Sequence, residues 1–393
     1  MKRKNAIILV VGIIILILVG LTITMITKNN KTSDNQKGEQ MAEKEYSDLK
    51  TEDNKTESDN TIDHSEATIS TIKSIGKLEN NENIKEVREG NVPIPKGYNY
   101  VKGDKIGGVI ITDASSGKEN EGNEFVWIPV EKVSNMAEQV DGVDANNNTN
   151  YRGILYNWKS DKTGKTIYKW TQTSKNYFEP INLSDSLSGD EVNSSKINDW
   201  SNTLYQEEYN KMVKSVEKYG GFYVGRYEMS VNENSGNAES KYGATSANAK
   251  DSNTSEWFGL YNKSKTYAKE TDNKNVVSNM IWGSQYDAML RWMVDSGVKN
   301  ITSTNPVDLS VGETSKNKTR VTGSEAKDRI NNIYDLLGNS YEWTQEALNI
   351  QAGRTARGGI YKDNYNYAPS YRGGRHSTGK DPVDGTRLAL YIK

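Results

Sequence analysis

Few side chains in this chain are suited to covalent or metal chemistry. Its 393 residues include no cysteine and two histidines, His64 and His376. Disulfides, thiol nucleophiles and thiolate metal sites are therefore excluded. A serine–histidine–aspartate triad would have to use His376, and no nucleophile-elbow motif accompanies it. Glycine patterns that bind nucleotides are absent too, whereas hydrolysis by a pair of carboxylates stays open because acids are abundant.

A segment near the C-terminus, rich in tyrosine and asparagine, has the composition of a recognition surface. Tyrosine offers a large rigid contact area at low entropic cost, and asparagine and serine offer adaptable hydrogen bonds. The alternative is that these aromatic rings pack against the core. The predicted ligand-binding surface consists of Tyr361, Asp363, Asn364, Tyr365, Asn366, Tyr367, Tyr371, Arg372, Arg375 and His376.

The N-terminus has the pattern of a membrane anchor. Lys2-Arg3-Lys4 precedes an uncharged apolar run over residues 6–27, and a helix of about 20 residues spans the apolar core of a bilayer. No small-residue cleavage pattern follows, which favours an uncleaved anchor over a removed signal peptide. The basic residues predict a cytoplasmic tail at residues 1–5, a single-pass cell-membrane protein and an extracellular C-terminal domain.

Composition divides the rest of the chain into a spacer and a head. Residues 28–90 are mostly polar and charged, which predicts a disordered, flexible spacer. Residues 91–393 contain all eight tryptophans and are predicted to form the folded head. A net charge of −2 offers no electrostatic basis for binding nucleic acid.

Hydrophobic periodicity predicts the elements that position the candidate surface. Strands are predicted over 107–112, 124–130, 222–228 and 386–392, the last with Leu388, Leu390 and Ile392 inward. Helices are predicted from residue 200 to the Gly220-Gly221 pair and over 282–294. The polar residues 131–198 are predicted to be inserted loops. This mixture indicates an α+β head that is rich in loops.

Several blocks of the head resemble the formylglycine-generating enzyme, or sulfatase-modifying factor, family, which has the C-type lectin fold. They occur in the family's order, and the most specific is the run over residues 334–343. The blocks are residues 221–228, 276–282, 334–343, Arg357-Gly358-Gly359 and Gly385-Thr386-Arg387. The resemblance implies a C-type lectin-like head over residues 91–393. The tyrosine-rich segment is also similar to the variable positions of retroelement-diversified proteins with this fold.

The chain departs from the family at its reaction centre. Counting from the second glycine of the Arg-Gly-Gly block, the family's two catalytic cysteines correspond to Asp363 and Ala368. In the family those cysteines hold copper, and copper(I) selects soft thiolate ligands, so no copper is expected here. A head with one histidine also cannot form the multi-histidine iron site of the sulfoxide synthases that share the fold, so no iron is expected.

The resemblance implies that one metal site of the family remains. Its enzymes hold calcium in the turn that corresponds to residues 334–343. The implied ligands are the Asp335 side chain, the Gly338 and Ser340 carbonyl groups and the Glu342 carboxylate. Calcium binds such hard oxygen ligands. The alternative is a tryptophan-anchored turn with acids exposed to solvent.

The sequence therefore predicts a membrane-anchored cell-surface protein whose non-catalytic, lectin-like head binds an extracellular protein or glycan. The alternative from another class is a formylglycine-generating oxidase that acts on an exported sulfatase-like substrate. A structural, wall-associated protein without a specific ligand is a third hypothesis.

Overall fold

The structure is a computed structural model that describes residues 82–144, 146–160, 166–172, 177–180, 202–247, 256–270, 274–298, 301–302, 319–348, 353–359, 368–377 and 384–393. All of them belong to the compact unit Thr61–Lys393. The predicted tail, membrane anchor and most of the spacer lie outside these residues. None of the helices in the described ranges is long and apolar enough to cross a membrane.

The described part of the head is a mixed α+β structure with many strands and long connections. Two short 3₁₀ helices accompany its four α-helices, at Val133–Asn135 and Ala326–Asp328. The helices are α1 (Asn202–Tyr219), α2 (Trp257–Ser264), α3 (Thr266–Glu270) and α4 (Gly283–Asp295). The strands are β1 (Ile84–Arg88), β2 (Val92–Pro95), β3 (Asn99–Lys102), β4 (Ile110–Thr112), β5 (Glu124–Pro129), β6 (Ala137–Val143), β7 (Thr149–Gly153), β8 (Tyr156–Ser160), β9 (Thr166–Gln172), β10 (Tyr177–Phe178), β11 (Gly221–Gly225), β12 (Ser230–Val231), β13 (Ala238–Glu239), β14 (Val276–Met280), β15 (Arg329–Ile330), β16 (Ile333–Tyr334), β17 (Tyr341–Leu348), β18 (Gly353–Arg357), β19 (Arg372–His376), β20 (Asp384–Thr386) and β21 (Leu388–Ile392).

A six-stranded antiparallel sheet forms the centre of the head, with the spatial order β14-β21-β11-β5-β4-β3. The last strand of the chain, β21, lies between β14 and β11, and all five of its residues are buried. The predicted alternation of Leu388, Leu390 and Ile392 is therefore too simple. Because a central strand is covered on both faces, apolar residues occupy both faces here.

A second, five-stranded sheet carries the segments singled out by the sequence. Its order is β10-β17-β18-β19, and β20 pairs with β17 in parallel. The 334–343 run ends in the first three residues of β17, the Arg-Gly-Gly block starts at the last residue of β18, and the Gly385-Thr386-Arg387 block joins β20 to β21. The three C-terminal family-like blocks therefore meet in one sheet, although they are far apart along the chain.

The long elements that periodicity predicted are confirmed. The predicted strands correspond to β4, β5, β11 and β21, and the predicted helices correspond to α1 and α4. Tyr205 and Tyr209 of α1 pack against Trp282, with ring centroids 4.8 Å apart in both pairs. This contact fixes α1 against the start of α4.

The prediction of loops over residues 131–198 is wrong, because the described part of this segment contains β6 to β10. Strands β6 to β9 form two hairpins, and β10 pairs with β17. The strands of the first hairpin have mostly polar side chains, so they lack the apolar alternation that reveals a strand. In the β6–β7 hairpin, Glu138 pairs with Arg152 across the strands. The Asp144 carboxylate closes the turn by accepting the N–H groups of Asn146 and Asn148, both at 2.9 Å.

The folded head also begins earlier than the predicted boundary at residue 91. Strand β1 precedes that boundary and pairs with β2, where Ile84 lies opposite Pro95. Ile84 is buried in the core. The polar composition of this strand, with Lys85, Glu86 and Arg88 beside Ile84, resembles that of the spacer, which explains the difference.

Candidate functional site

The described part of the predicted ligand-binding surface lies at and beside β19. Tyr371 packs partly buried against the core, and Arg372, Arg375 and His376 belong to β19. Residues 361–367 lie outside the described residues, so Tyr361, Asp363, Asn364, Tyr365, Asn366 and Tyr367 have no described position. Arg357 at the end of β18 is the register partner of Arg372. The tyrosine-rich segment therefore connects two neighbouring strands.

Arg372 is largely buried, with 8% of its side chain exposed. Its Nε donates to Glu346 Oε1 at 2.7 Å. Its two Nη atoms donate to Asp287 Oδ2 and to the carbonyl oxygen of Tyr156. The guanidinium thus joins β19 to α4, β17 and β8, and in this arrangement it anchors the strand.

A second arginine completes a balanced group of four buried charges. Arg357 Nη2 donates to Asp287 Oδ1 at 2.8 Å, and its Nη1 approaches Glu346 Oε2 at 3.4 Å. Burial by itself would raise the pKa of Asp287, but Arg372 and Arg357 outweigh burial and hold that pKa below its usual value. Burial raises the pKa of Glu346 in spite of the same two arginines. The ion group Arg357–Arg372–Asp287–Glu346 fixes the sheet to α4.

Glu179 adds an acid to this region without a cationic partner of its own. Its Oε1 accepts the Ser284 N–H at 3.0 Å, and its Oε2 accepts the Gly283 N–H, at the first turn of α4. Glu179 is 1% exposed. Burial and the neighbouring Glu346 carboxylate raise the pKa of Glu179 to about 8, although the hydrogen bonds from Ser284 and Gly283 oppose the shift. Glu179 therefore holds a proton at neutral pH.

The turn at the start of the 334–343 run bends through left-handed backbone conformations. Asp335 and Asn339 have φ angles of 61°, and Gly338 has a φ of 90°, conformations that aspartate, asparagine and glycine adopt more readily than other residues. Glu228 at the end of the 221–228 block holds the turn. Its carboxylate accepts hydrogen bonds from Asn339 Nδ2, at 2.7 Å, and from the Ser340 N–H, at 3.1 Å.

The side chains predicted to bind calcium are close together but engaged elsewhere. Both oxygens of Glu342 accept hydrogen bonds from Arg387 Nε, at 3.1 and 3.0 Å. Asp335 Oδ2 accepts the Gly323 N–H at 3.0 Å. No three acidic or histidine side chains in the described ranges are arranged to hold a metal ion. In this arrangement the predicted ligands do not fit calcium, because both oxygens of the Glu342 carboxylate accept hydrogen bonds from Arg387.

These carboxylates are buried near each other with few positive charges. Burial raises the pKa of Asp335 to about 6. Burial, together with the charges of Asp335 and Glu342, raises the pKa of Glu228 well above its usual value. The predicted alternative of acids exposed to solvent is wrong for Asp335 and Glu342, which are 4% and 1% exposed.

The second of the two positions that hold cysteine in the resembling family is described. Ala368 is buried, and its carbonyl oxygen accepts the Tyr371 N–H at 2.9 Å in a turn before β19. The first position, Asp363, lies outside the described residues. A methyl group at Ala368 has no capacity to bind a metal.

Sequence reasoning did not single out Glu179, Asp287 or Glu346. The hydrogen bonds of their carboxylates span from 11 to 131 positions of sequence separation, so no local spacing reveals them. Acids within apolar runs, such as Asp287 between Tyr286 and Ala288, are the only sequence signal.

Comparisons with solved structures found distant likenesses. No family model matches the chain, and no curated protein matches it. The PvdO protein of Pseudomonas aeruginosa has a structure with a TM-score of 0.31 and 13% identity, over 44% of this chain and 81% of that chain. Variable protein 1 of Treponema denticola has a TM-score of 0.25 and 14% identity, over 70% of this chain and 97% of that chain. Both scores are too low to carry an argument about fold or function.

Proposed function

We propose that this chain is a non-catalytic binding protein with a C-type lectin-like head of the formylglycine-generating type. The observation that carries the proposal is the replacement of both thiol positions, by Asp363 and by the buried Ala368, in a chain without cysteine. A carboxylate and a methyl group cannot replace the soft ligands that copper(I) chemistry requires. Without the two thiols, the fold that the resemblance implies can still serve as a scaffold for binding.

The described anchoring around the tyrosine-rich segment supports a recognition role. The segment leaves β18 after Arg357 and re-enters the sheet at Arg372, and both guanidiniums bind the same two carboxylates, Asp287 and Glu346. Binding loops on a rigid scaffold lose less entropy when they engage a ligand. The proposed ligand is an extracellular protein or glycan, and Tyr361, Tyr365 and Tyr367 supply the main contacts.

We further propose that the head is displayed at the cell surface. The apolar run over residues 6–27, with its basic flank, serves as a single N-terminal span, and the polar residues that follow serve as the spacer. The N-terminus is then cytoplasmic and the head extracellular.

A binding experiment on the full-length protein tests the function. We expect saturable binding on an array of immobilised glycans and extracellular proteins. The triple variant Tyr361→Ala/Tyr365→Ala/Tyr367→Ala should weaken this binding by at least about tenfold, because buried tyrosines are typical hot spots of interfaces. Tyr242→Ala is the matched control, since Tyr242 is 44% exposed and lies outside the predicted surface.

Two results would contradict the proposal in different ways. The absence of saturable binding on the array would favour a structural, wall-associated role. Aldehyde formation after incubation with copper and a peptide that contains a Cys-x-Pro-x-Arg sequence, detected by mass, would establish the oxidase alternative.

A further inference from the structure

The segment formed by residues 177–180, here called the β10 segment, is held to the head at three places. Strand β10 lies at an edge of the described sheet and pairs with β17 through two residues. The Glu179 carbonyl oxygen accepts the Gly153 N–H of β7 at 2.6 Å. The third attachment is the Glu179 carboxyl group on α4. Because so few backbone hydrogen bonds hold the segment, it can open while the rest of the head stays folded.

The Glu179 carboxyl group supplies the acceptors for the first turn of α4. The first N–H groups of a helix have no acceptor within the helix. Here the Gly283 N–H donates to Glu179 Oε2, and Ser284 donates to Oε1 from its N–H, at 3.0 Å, and from its hydroxyl group. A protonated carboxyl group can still accept hydrogen bonds, so this arrangement does not require a negative charge on Glu179.

A second carboxyl group faces Glu179 across Gly283. A Cβ atom on Gly283 would lie 2.4 Å from Glu346 Oε2 and 2.9 Å from Glu179 Oε2, so the two oxygens approach the same point. Glu346 is paired with Arg357 and Arg372, whereas the donors to the Glu179 carboxyl group are uncharged. Two carboxylates this close disfavour each other's charge, and Glu179 is the one without compensation from these arginines.

The arginines in the neighbouring strands are engaged with other groups. Arg357 in β18 and Arg372 in β19 both pair with Asp287 of α4 as well as with Glu346. Arg354 in β18 donates to the Gln345 carbonyl oxygen at 3.2 Å and forms a hydrogen bond with Tyr205. None of these three cations forms an ion pair with Glu179.

Helix α1 presents two phenols to Glu179. A Cβ atom on Gly153 would lie 2.9 Å from Glu179 Oε1 and 2.9 Å from the Tyr209 hydroxyl oxygen, and that hydroxyl lies 3.0 Å from Ser284 Oγ. Burial raises the pKa of Tyr209 and of Tyr205 well above the usual tyrosine value. Both phenols are therefore neutral, and ionised Glu179 would be a buried charge beside Glu346.

We propose that the β10 segment is a proton-controlled latch on α4. With Glu179 protonated, its carboxyl group docks on the first turn of α4 and the latch is closed. When Glu179 loses its proton, the carboxylate leaves its place beside Glu346 for water, and the segment opens while the central sheet stays folded. The latch does not depend on the ligand proposed for the tyrosine-rich segment.

Proton linkage determines how the opening depends on pH. The pKa of Glu179 is about 8 in the closed state and returns to its usual value of 4.5 in the open state. The open state therefore binds fewer protons between these two values, and its population relative to the closed state rises about tenfold per pH unit there. The closed latch is most stable below pH 4.5 and loses this stability as the pH rises through 8.

Hydrogen exchange of the full-length protein tests the latch. The probes are the backbone N–H groups of Gly153, Gly283 and Ser284, which all donate to Glu179. Exchange is read by mass spectrometry from about pH 5.5 to about pH 7.5 and corrected for the intrinsic exchange rate. We expect the protection of these groups to fall about tenfold per pH unit. At every pH it should be at least about tenfold below that of β21, since the opening is local.

A neutral substitution separates the latch from a general effect of pH. Glu179→Gln retains an acceptor oxygen and cannot ionise, so the protection of the three N–H groups should no longer depend on pH. Glu233→Gln is the matched control, because Glu233 is exposed and the variant should behave like the wild type.

The wild-type series is decisive by itself if Glu179→Gln fails to fold. The latch is overturned if the three N–H groups are as strongly protected as β21, since they would then open only with the whole head. It is also overturned if their protection does not change with pH, or if Glu179→Gln keeps the wild-type slope.

Discussion

At the scale of single residues, the chemistry of each acid is decided by its neighbours. Glu179 and Glu346 are both fully buried, yet Glu346 faces Arg357 and Arg372 whereas Glu179 receives hydrogen bonds from uncharged donors. The start of a helix favours negative charge, but this effect does not offset complete burial beside a second carboxylate. Glu179 is therefore protonated in the native state at neutral pH.

This protonation predicts that Glu179→Gln stabilises the protein at high pH. The pKa of Glu179 is raised from 4.5 to about 8 in the native state, so the wild type loses stability as pH rises from 4.5 through 8. Glutamine does not titrate, so the variant lacks this pH-dependent loss. Since one pKa unit is worth about 1.4 kcal/mol, we expect the stability of the variant relative to the wild type to be roughly 2–5 kcal/mol more favourable at pH 8 than at pH 4.5.

Urea unfolding of the full-length protein at both pH values measures this difference. Glu233→Gln serves as the control, because Glu233 is exposed and should leave the pH dependence unchanged. A Glu179→Gln variant whose stability falls with pH as steeply as that of the wild type would show that Glu179 is ionised in the native state.

At the scale of elements, β17 connects the two buried ionic groups. Glu342 near its start pairs with Arg387, and Glu346 near its end belongs to the ion group with Arg357 and Arg372. Strands β10, β18 and β20 all pair with β17. The run over residues 334–343, which carries the resemblance to calcium-binding turns, is therefore tied to the sheet through arginine.

This arrangement predicts that calcium does not stabilise the head. Arg387 supplies the positive charge at Glu342, so we expect removal of calcium with a chelator to leave the thermal unfolding midpoint of the full-length protein unchanged. Magnesium-containing buffer with and without the chelator is the control for ionic conditions. A midpoint that rises with added calcium and saturates would restore the site predicted at Asp335, Gly338, Ser340 and Glu342.

At the scale of the whole molecule, the proposed role depends on whether the chain is anchored in a membrane. An apolar run of this length with a basic flank predicts a protein that fractionates with membranes and resists extraction by alkaline carbonate. Ile15→Arg/Leu18→Arg should release it, because an arginine at the centre of a span costs about 2.5–3.5 kcal/mol.

A double substitution in the polar segment controls for added charge. Thr51→Arg/Thr56→Arg adds the same two arginines outside the apolar run and should leave the protein in the membrane fraction. If wild-type protein is extracted by carbonate, or if protease added to intact cells does not reach the head, the surface location is wrong.

Local patterns in the sequence were sufficient for the elements with strong periodicity. Helices α1 and α4 bury apolar residues at a regular spacing, and strands β5, β11 and β21 are short, almost continuously buried runs. Both patterns are visible without tertiary contacts. The β6–β7 hairpin was missed because its strands are joined by polar pairs across the hairpin, such as Glu138 with Arg152.

What the sequence determined by itself is the absence of thiol chemistry, the division into apolar run, polar segment and head, and the presence of the family-like blocks. Only the tertiary structure decided which charges meet: that Arg387 pairs with Glu342, and that Arg372 is an anchor inside the head. The physical reason is that the pairing of buried charges depends on contacts between residues far apart in the chain, and desolvation makes each of those contacts decisive.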